Sequence, residues 1–277
     1  MTLRWMTAVV LLGAYACTAD GDTSAAPIKV REPELLQTGQ AQLDRLCGRG
    51  RSDVVLDVFC SGGDPDIRSF LDLKRAFGFG GRAADLEGFA LTSHSSSLVA
   101  RSVSAINPRA IFIRPRSDRS ELALLAFTRG DQFSESIVRD RRTGELRFYV
   151  VTFEQDCNDE PEGCSPGDLL TPAVEAGWKN LNVYAEDDLA NTPLDCLVCH
   201  EPDGPGTGRI LRMQELNPPW VHWFYGLVPT GIAVIDDYLA AKGDEPFVGI
   251  GPDAINHSSP GLLSSTLFFE DSSSSAT

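Results

Sequence analysis

The chain has 277 residues, of which 39 are acidic and 24 are Lys or Arg, and its formal net charge is −15 at pH 7. This balance argues against a nucleic-acid partner, because binding to phosphates requires clustered positive charge. Hydrophobic residues make up 42% of the chain, so one large domain or two small ones can bury a core.

The N-terminus has the pattern of an export signal. Residues 1–17, MTLRWMTAVVLLGAYAC, contain Arg4, a short apolar run and small residues before Cys17. These features are typical of a secretory signal peptide. The pattern resembles a bacterial lipoprotein signal, which implies that Cys17 is acylated; the alternative is a plain secreted protein cleaved nearby. Residues 18–30 are predicted to be a tether.

The seven cysteines divide into three groups. Cys17 belongs to the signal, and Cys196 and Cys199 belong to a motif near residue 200. The other four are an even number in an exported chain, which predicts two disulfides. Among the three possible pairings, we favour Cys47–Cys60 and Cys157–Cys164 because each pair closes a short local loop.

Residues 31–165 are predicted to form an α+β domain that begins with helices. Apolar residues recur at helical spacing before Gly48, which predicts a helix at about 33–47. A clearer helix follows, with Asp64 or Asp66 as its cap and Gly78 at its end.

β-Forming residues dominate from residue 110 onward. Four runs are separated by turn-like sequences and predict a four-stranded antiparallel meander over about 110–153. The last run is apolar on both faces, so it should be a central strand that is covered on both sides. A further strand is predicted at 180–184. Residues 166–265 are expected to form a mostly helical and loop segment, and 266–277 a disordered tail.

The most informative stretch is LDCLVCHEPDGPGTG at 194–208, which contains Cys196, two spacer residues, Cys199 and His200. Two spacers place both sulfurs along one edge of a porphyrin, and a histidine directly afterwards lies beneath the iron. The stretch resembles the haem-attachment motif of c-type cytochromes. The resemblance implies one covalent haem c, with thioether bonds from Cys196 and Cys199 and His200 as the axial ligand. It covers these five residues and, loosely, a predicted helix at 230–242.

Three other uses of the motif are considered. A thioredoxin-like redox pair needs a helix that starts within the motif, and the following EPDGPG opposes a long helix. A zinc site needs further ligands, and only His222 is close in sequence. A disulfide between Cys196 and Cys199 leaves His200 without a role.

The second axial position has several candidates. Met213 is the only methionine after the signal, and it lies on a short predicted helix, GRILRMQEL, at 208–216. A methionine ligand would raise the redox potential. The alternatives are His222 in an aromatic segment, His94 from the first half of the chain, or an open site. If Met213 is not a ligand, the alternative interpretation is that it is an ordinary core residue of an amphipathic helix.

Together these features predict an exported, lipid-anchored mono-haem c-type protein that carries electrons rather than catalysing a reaction. It is expected in the periplasm or on the cell surface, with the lipid as its only membrane contact. Residues 154–205 contain thirteen acidic residues and one lysine, which suits a redox partner with a basic docking face. The alternatives are a peroxidase-like haem enzyme with an open distal face, and a haem-free, disulfide-stapled surface lipoprotein that binds a partner.

Overall fold

The computed structural model describes residues 36–80, 88–92, 103–104, 106–115, 121–201, 203–211, 240–242 and 245–250. Cys17, His94, Met213 and His222 lie outside these residues, as do the predicted tether and tail. Among the described residues, the helices are α1 Gly39–Cys47, α2 Val54–Phe59, α3 Phe70–Ala76, α4 Pro166–Leu169 and α5 Leu197–His200, with 3-10 turns at Asp156–Asp159 and Pro172–Glu175. The strands are β1 Gly88–Thr92, β2 Arg109–Pro115, β3 Leu122–Phe127, β4 Phe133–Arg139, β5 Leu146–Glu154 and β6 Lys179–Ala185.

The six described strands form one antiparallel sheet in which spatial order follows chain order. The predicted meander is confirmed as β2 to β5, and the predicted strand at 180–184 is confirmed as β6, which pairs with β5. β1 was not predicted, and it pairs with β2. The described part of the chain is therefore α+β. Since β6 lies beyond residue 165, the sheet extends across the boundary expected between the two segments.

Alternate side chains of each strand point to opposite faces of the sheet, and both faces are covered. On the first face, α1, α2 and α3 pack against residues such as Phe112, Leu125 and Tyr149. On the second face, Ile111, Leu124 and their neighbours form a separate apolar cluster. The prediction that β5 is central and covered on both sides is confirmed, since β4 and β6 flank it and residues 148–151 are all buried.

The helix ends follow local capping chemistry. The α3 cap is Ser69, whose hydroxyl accepts the Asp72 N–H, so the expected start at Asp64 or Asp66 was wrong. Gly78 does follow the helix, with a φ of 82°. Its N–H donates to the Arg75 carbonyl at 2.9 Å, and the Phe79 N–H donates to the Lys74 carbonyl at 3.0 Å. This pair of bonds is a Schellman ending, which requires a left-handed residue at Gly78.

Two disulfides are formed within the described residues. Cys47 bonds to Cys60, which joins the end of α1 to the end of α2, and Cys157 bonds to Cys164 across the acidic loop after β5. These are the pairs that the sequence favoured. No helix in the described ranges is long and apolar enough to cross a membrane.

Candidate haem-attachment site

The chain reaches the motif through consecutive tight turns after β6. Backbone N–H groups of Asp188, Leu189 and Thr192 each donate to the carbonyl three residues earlier. The Asp195 carboxylate then accepts the Leu197 N–H at 3.0 Å and the Asn191 N–H at 2.6 Å. These bonds satisfy donors that open the next helix and fix where the motif begins.

The motif folds as a single helical turn, α5. The Cys196 carbonyl accepts the N–H groups of Cys199 at 3.3 Å and His200 at 3.1 Å. Cys196 and Cys199 therefore lie on the same turn, with His200 directly after them. Val198, between the two cysteines, is 47% exposed, so the outer side of the turn faces solvent.

His200 and Ile210 are joined by two reciprocal bonds across the intervening loop. The Ile210 N–H donates to the His200 carbonyl at 3.0 Å. The Ile210 carbonyl lies 3.0 Å from the His200 Nδ1. A carbonyl oxygen can only accept, so this contact places the imidazole proton on Nδ1 and the lone pair of the neutral ring on Nε2. Histidines that ligate metals commonly have this arrangement.

The His200 ring packs on the second face of the sheet. It stacks on Phe148 of β5, with ring centroids 4.3 Å apart and planes inclined by 28°. Cys196, Leu197 and Leu211 pack against the same apolar cluster. The helix predicted from residue 208 is wrong for 208–211, which are irregular. This irregular backbone leaves the Ile210 carbonyl available to His200 rather than to a helical hydrogen bond.

The two cysteines of the motif are in different chemical states. Cys196 is the one described cysteine outside a disulfide. Burial raises the pKa of its thiol well above the ordinary value, and the nearby charges of Glu135, Glu186 and Asp195 raise it further. Cys199 is disulfide-bonded. The alternative of a Cys196–Cys199 disulfide is therefore wrong for this structure.

The raised pKa of Cys196 also opposes a thioredoxin-like role. A redox Cys-x-x-Cys depends on a thiolate, and its attacking cysteine has a lowered pKa. At neutral pH the Cys196 sulfur is a neutral thiol, with the Leu194 carbonyl 3.5 Å away. The structure thus shows a half-buried, neutral thiol rather than a redox-active thiolate.

An acidic cluster beside the motif is buried and paired, which the sequence analysis did not expect. Glu186 has 0% side-chain exposure and forms ion pairs with Arg51 at 3.0 Å, Arg147 at 3.4 Å and Arg209 at 2.7 Å. Its carboxylate also accepts the Phe148 N–H at 3.2 Å. Such burial is tolerated only because opposite charges and hydrogen bonds compensate it. Glu186 is therefore part of the scaffold rather than of a solvated rim.

Some candidate residues lie outside the described residues, and others were not predicted from the sequence. Met213, His222 and His94, the candidates for the second axial position, lie outside the described residues. Phe148, Glu186 and Arg209 were missed because sequence spacing does not show which sheet residues lie beneath the motif. Among the described residues, no group of three or more His, Cys, Asp or Glu side chains is arranged to hold a metal ion. A haem iron needs at most two ligands from the protein, because the porphyrin supplies the other four.

The residues of the motif fit a covalent haem in part. The spacing of both sulfurs along one turn fits, and so does a His200 whose proton is committed to a backbone carbonyl. The disulfide of Cys199 does not fit while it is present, since a thioether bond requires a reduced sulfur. No family model, curated protein or solved structure matches the chain.

Proposed function

We propose that the protein is an exported mono-haem c-type protein that transfers electrons, with Cys196 and Cys199 as the attachment residues and His200 as an axial ligand. The observation that supports this most strongly is the His200–Ile210 pair, which assigns the imidazole proton to Nδ1 and the ligand lone pair to Nε2. A bound haem would supply a one-electron redox centre, and the chain would supply its attachment and orientation.

The described residues have definite tasks under this proposal. Phe148 supports one face of the imidazole, so the His200 ring cannot rotate without losing that stack. The Ile210 carbonyl holds the Nδ1 proton and increases the basicity of the ring. The exposed outer side of α5 lets a redox partner approach the attachment turn.

Attachment imposes a condition on the cysteines. Both sulfurs must be thiols when haem is attached, so Cys199 has to be outside any disulfide at that stage. Cys196 already meets the condition, because it is a neutral thiol outside any disulfide.

Export is part of the same proposal. The disulfides Cys47–Cys60 and Cys157–Cys164 favour an oxidising compartment. The signal-like N-terminus and Cys17 favour a lipid anchor on a bacterial membrane, with the body in the periplasm or on the cell surface. The loop closed by Cys157–Cys164 carries exposed acidic residues, which suits a redox partner with a basic face and not a nucleic acid.

The first experiment is expression in a host with haem-maturation machinery, followed by a visible spectrum. We expect haem that survives acid–organic extraction in wild type and is lost in the Cys196→Ala/Cys199→Ala variant. The matched control is Cys157→Ala/Cys164→Ala, which removes a distant cysteine pair and should keep the haem. A colourless wild type would refute the proposal.

The same preparation separates an electron carrier from a haem enzyme. If Met213 or His222 fills the second axial position, the reduced protein should not bind carbon monoxide, and replacing that residue by Ala should permit binding. Ready binding by wild type would instead favour the peroxidase-like enzyme with an open distal face.

One observation favours a second candidate function. The disulfides Cys47–Cys60 and Cys157–Cys164 are as expected for a haem-free surface lipoprotein held together by disulfides. Under that function, Cys196 would be a reactive thiol in the denatured protein, and the chain would not carry the mass of a haem. Under the haem proposal, both motif cysteines would be blocked and the denatured chain would keep the mass of one haem.

A further inference from the structure

The side chain of Arg209 links the loop after His200 to the sheet. Its Nε lies 3.1 Å from a carboxylate oxygen of Glu201, the residue directly after His200. Its Nη1 lies 2.7 Å from Glu186 and 3.1 Å from the Leu146 carbonyl of β5. Arg209 therefore connects both ends of the loop to the sheet.

Glu186 makes this connection rigid. It is fully buried, and it also binds Arg51 and the backbone N–H of Phe148. Phe148 carries the His200 ring on its face. The same carboxylate thus holds the residue beneath the imidazole and, through Arg209, the loop beside it.

Glu201 completes the arrangement from within the loop. One of its oxygens accepts from Arg209, and the other accepts the Gly206 N–H at 2.8 Å. The loop is therefore closed by side-chain bonds on each side of the His200–Ile210 pair. Ile210 follows Arg209 directly, so movement of Arg209 would displace the carbonyl that accepts the Nδ1 proton.

We propose that Arg209 is a positioning residue, which holds the Ile210 carbonyl against His200 and so selects the Nδ1–H form of the imidazole. The inference extends the proposed function, because that form leaves Nε2 as the ligand atom. A guanidinium suits the task, since its fixed fork of donors reaches Glu201, Glu186 and a carbonyl at the same time. A lysine ammonium keeps the positive charge but lacks the planar set of donors that reaches three acceptors at once.

The test compares Arg209→Gln and Arg209→Lys with a matched control, Arg51→Gln. Arg51 also pairs with Glu186 but makes no described contact with the loop from 201 to 211. The control therefore removes one cation from the same buried carboxylate and spares the loop.

The first measurement uses the full chain expressed without haem maturation. We expect the imidazole ¹⁵N shifts of His200 to report the Nδ1–H form in wild type and Arg51→Gln, and a mixture of both tautomers in Arg209→Gln. The Ile210 amide should exchange about tenfold faster in Arg209→Gln, because its bond to the His200 carbonyl opens more often. Arg209→Lys should fall between the two. His200→Ala identifies the resonance.

The second measurement uses the haem-bound protein. Loss of the Ile210 bond should raise the midpoint potential in Arg209→Gln, because a less basic imidazole stabilises the oxidised iron less. Arg51→Gln should stay close to wild type.

Each outcome decides a different point. Unchanged tautomer and Ile210 exchange in Arg209→Gln would overturn the positioning role even if haem is bound. Equal changes in Arg51→Gln would also overturn it, because the effect would then belong to Glu186. A chain that takes no haem but still responds at His200 and Ile210 would refute the proposed function and leave the positioning role intact.

Discussion

Asp53 shows how a single buried carboxylate organises the first face of the sheet. It is fully buried, and one oxygen accepts the N–H groups of Val55 and Leu56 at the start of α2. The other oxygen accepts the Tyr149 hydroxyl at 2.7 Å. The residue therefore connects a helix cap to the central strand β5.

Burial raises the pKa of Asp53 above its ordinary value, despite hydrogen bonds from Tyr149 and the helix that lower it. Between the unfolded and folded pKa values, the folded chain binds the proton more tightly than the unfolded chain. Stability from this group is therefore complete below the unfolded pKa and is lost as pH rises through the folded pKa.

We predict that the free energy of unfolding of Asp53→Asn increases relative to that of wild type as pH rises from about 3.5 to about 7. The amide oxygen keeps the cap of α2, and the variant has no carboxylate to ionise. Asp53→Ala is the control: it loses the cap and should be destabilised by about 2 kcal/mol at acid pH. Urea unfolding of the three proteins at both pH values measures these differences. A wild-type–Asn difference that does not change with pH would contradict the prediction.

At the scale of an element, the turn at 247–250 returns the chain to the first face of the sheet. Phe247 and Ile250 exchange both backbone hydrogen bonds, at 3.0 and 2.8 Å. Val248 and Gly249 have φ values of 46° and 80°. Two left-handed residues in succession are the signature of a type I′ turn. A β-branched residue rarely adopts this conformation, so the surrounding packing must hold Val248 there.

Gly249 is the position in this turn where an added side chain meets the most resistance. A Cβ there would lie 2.6 Å from Leu71 of α3, in addition to the strain of a left-handed alanine. We predict that Gly249→Ala lowers the free energy of unfolding by about 1 kcal/mol more than Gly144→Ala. Gly144 is the matched control, with a φ of 77° and no atom within 4 Å of its Cβ position. Urea unfolding measures both. The excess should vanish in a Leu71→Ala background; an excess that persists would place the strain elsewhere.

The elements that could be predicted from sequence are those with a strong local signal. The runs that became β2 to β5 alternate with turn sequences, and Gly78 marks the end of α3. α2 was missed because VVLDVF favours a strand by composition. It is helical because the Asp53 carboxylate binds its first N–H groups. β1 was missed because GFALT is short and has little alternation.

The site was predictable only as a motif. The spacing of Cys196, Cys199 and His200 predicts that they act together, because covalent haem attachment depends on local spacing. It did not show Phe148 or Arg209, since contacts between a loop and a sheet depend on register and on pairing across distant residues. The ion pairs of Glu186 and Asp188 could not be predicted for the same reason: their arginine partners come from distant parts of the chain.

At the scale of the whole molecule, segments before and after the motif pack on the first face of the sheet, and the motif packs on the second. Helices α1 to α3 cover the first face, residues between 189 and 211 cover part of the second, and residues 247–250 pack on the first face again. Arg129 holds residues 245–247 on the first face. Its side chain is fully buried, pairs with Glu175 at 2.7 Å and with Glu245, and lies 4.7 Å from the centre of the Phe247 ring.

We predict that Arg129→Met destabilises the protein by about 3–5 kcal/mol, because Glu175 would be left buried without its cation. Burial already raises the pKa of Glu175 while Arg129 lowers it, so the charged form depends on this partner. Arg129→Met/Glu175→Met should recover part of the loss, since neither buried charge then remains. Arg68→Met, which breaks only exposed ion pairs, should cost less than about 1 kcal/mol. Denaturant unfolding gives these values.

Hydrogen exchange shows whether Arg129 itself holds residues 245–250 or only adds to global stability. The Val248 N–H donates to Glu175, and the Ile250 N–H closes the turn. In Arg129→Met, both amides should exchange faster by a larger factor than amides of β5, because the segment would open without global unfolding. Equal acceleration throughout would mean that the apolar packing of Phe247 is sufficient. The chain beyond the motif would then be held to the first face by its core residues alone.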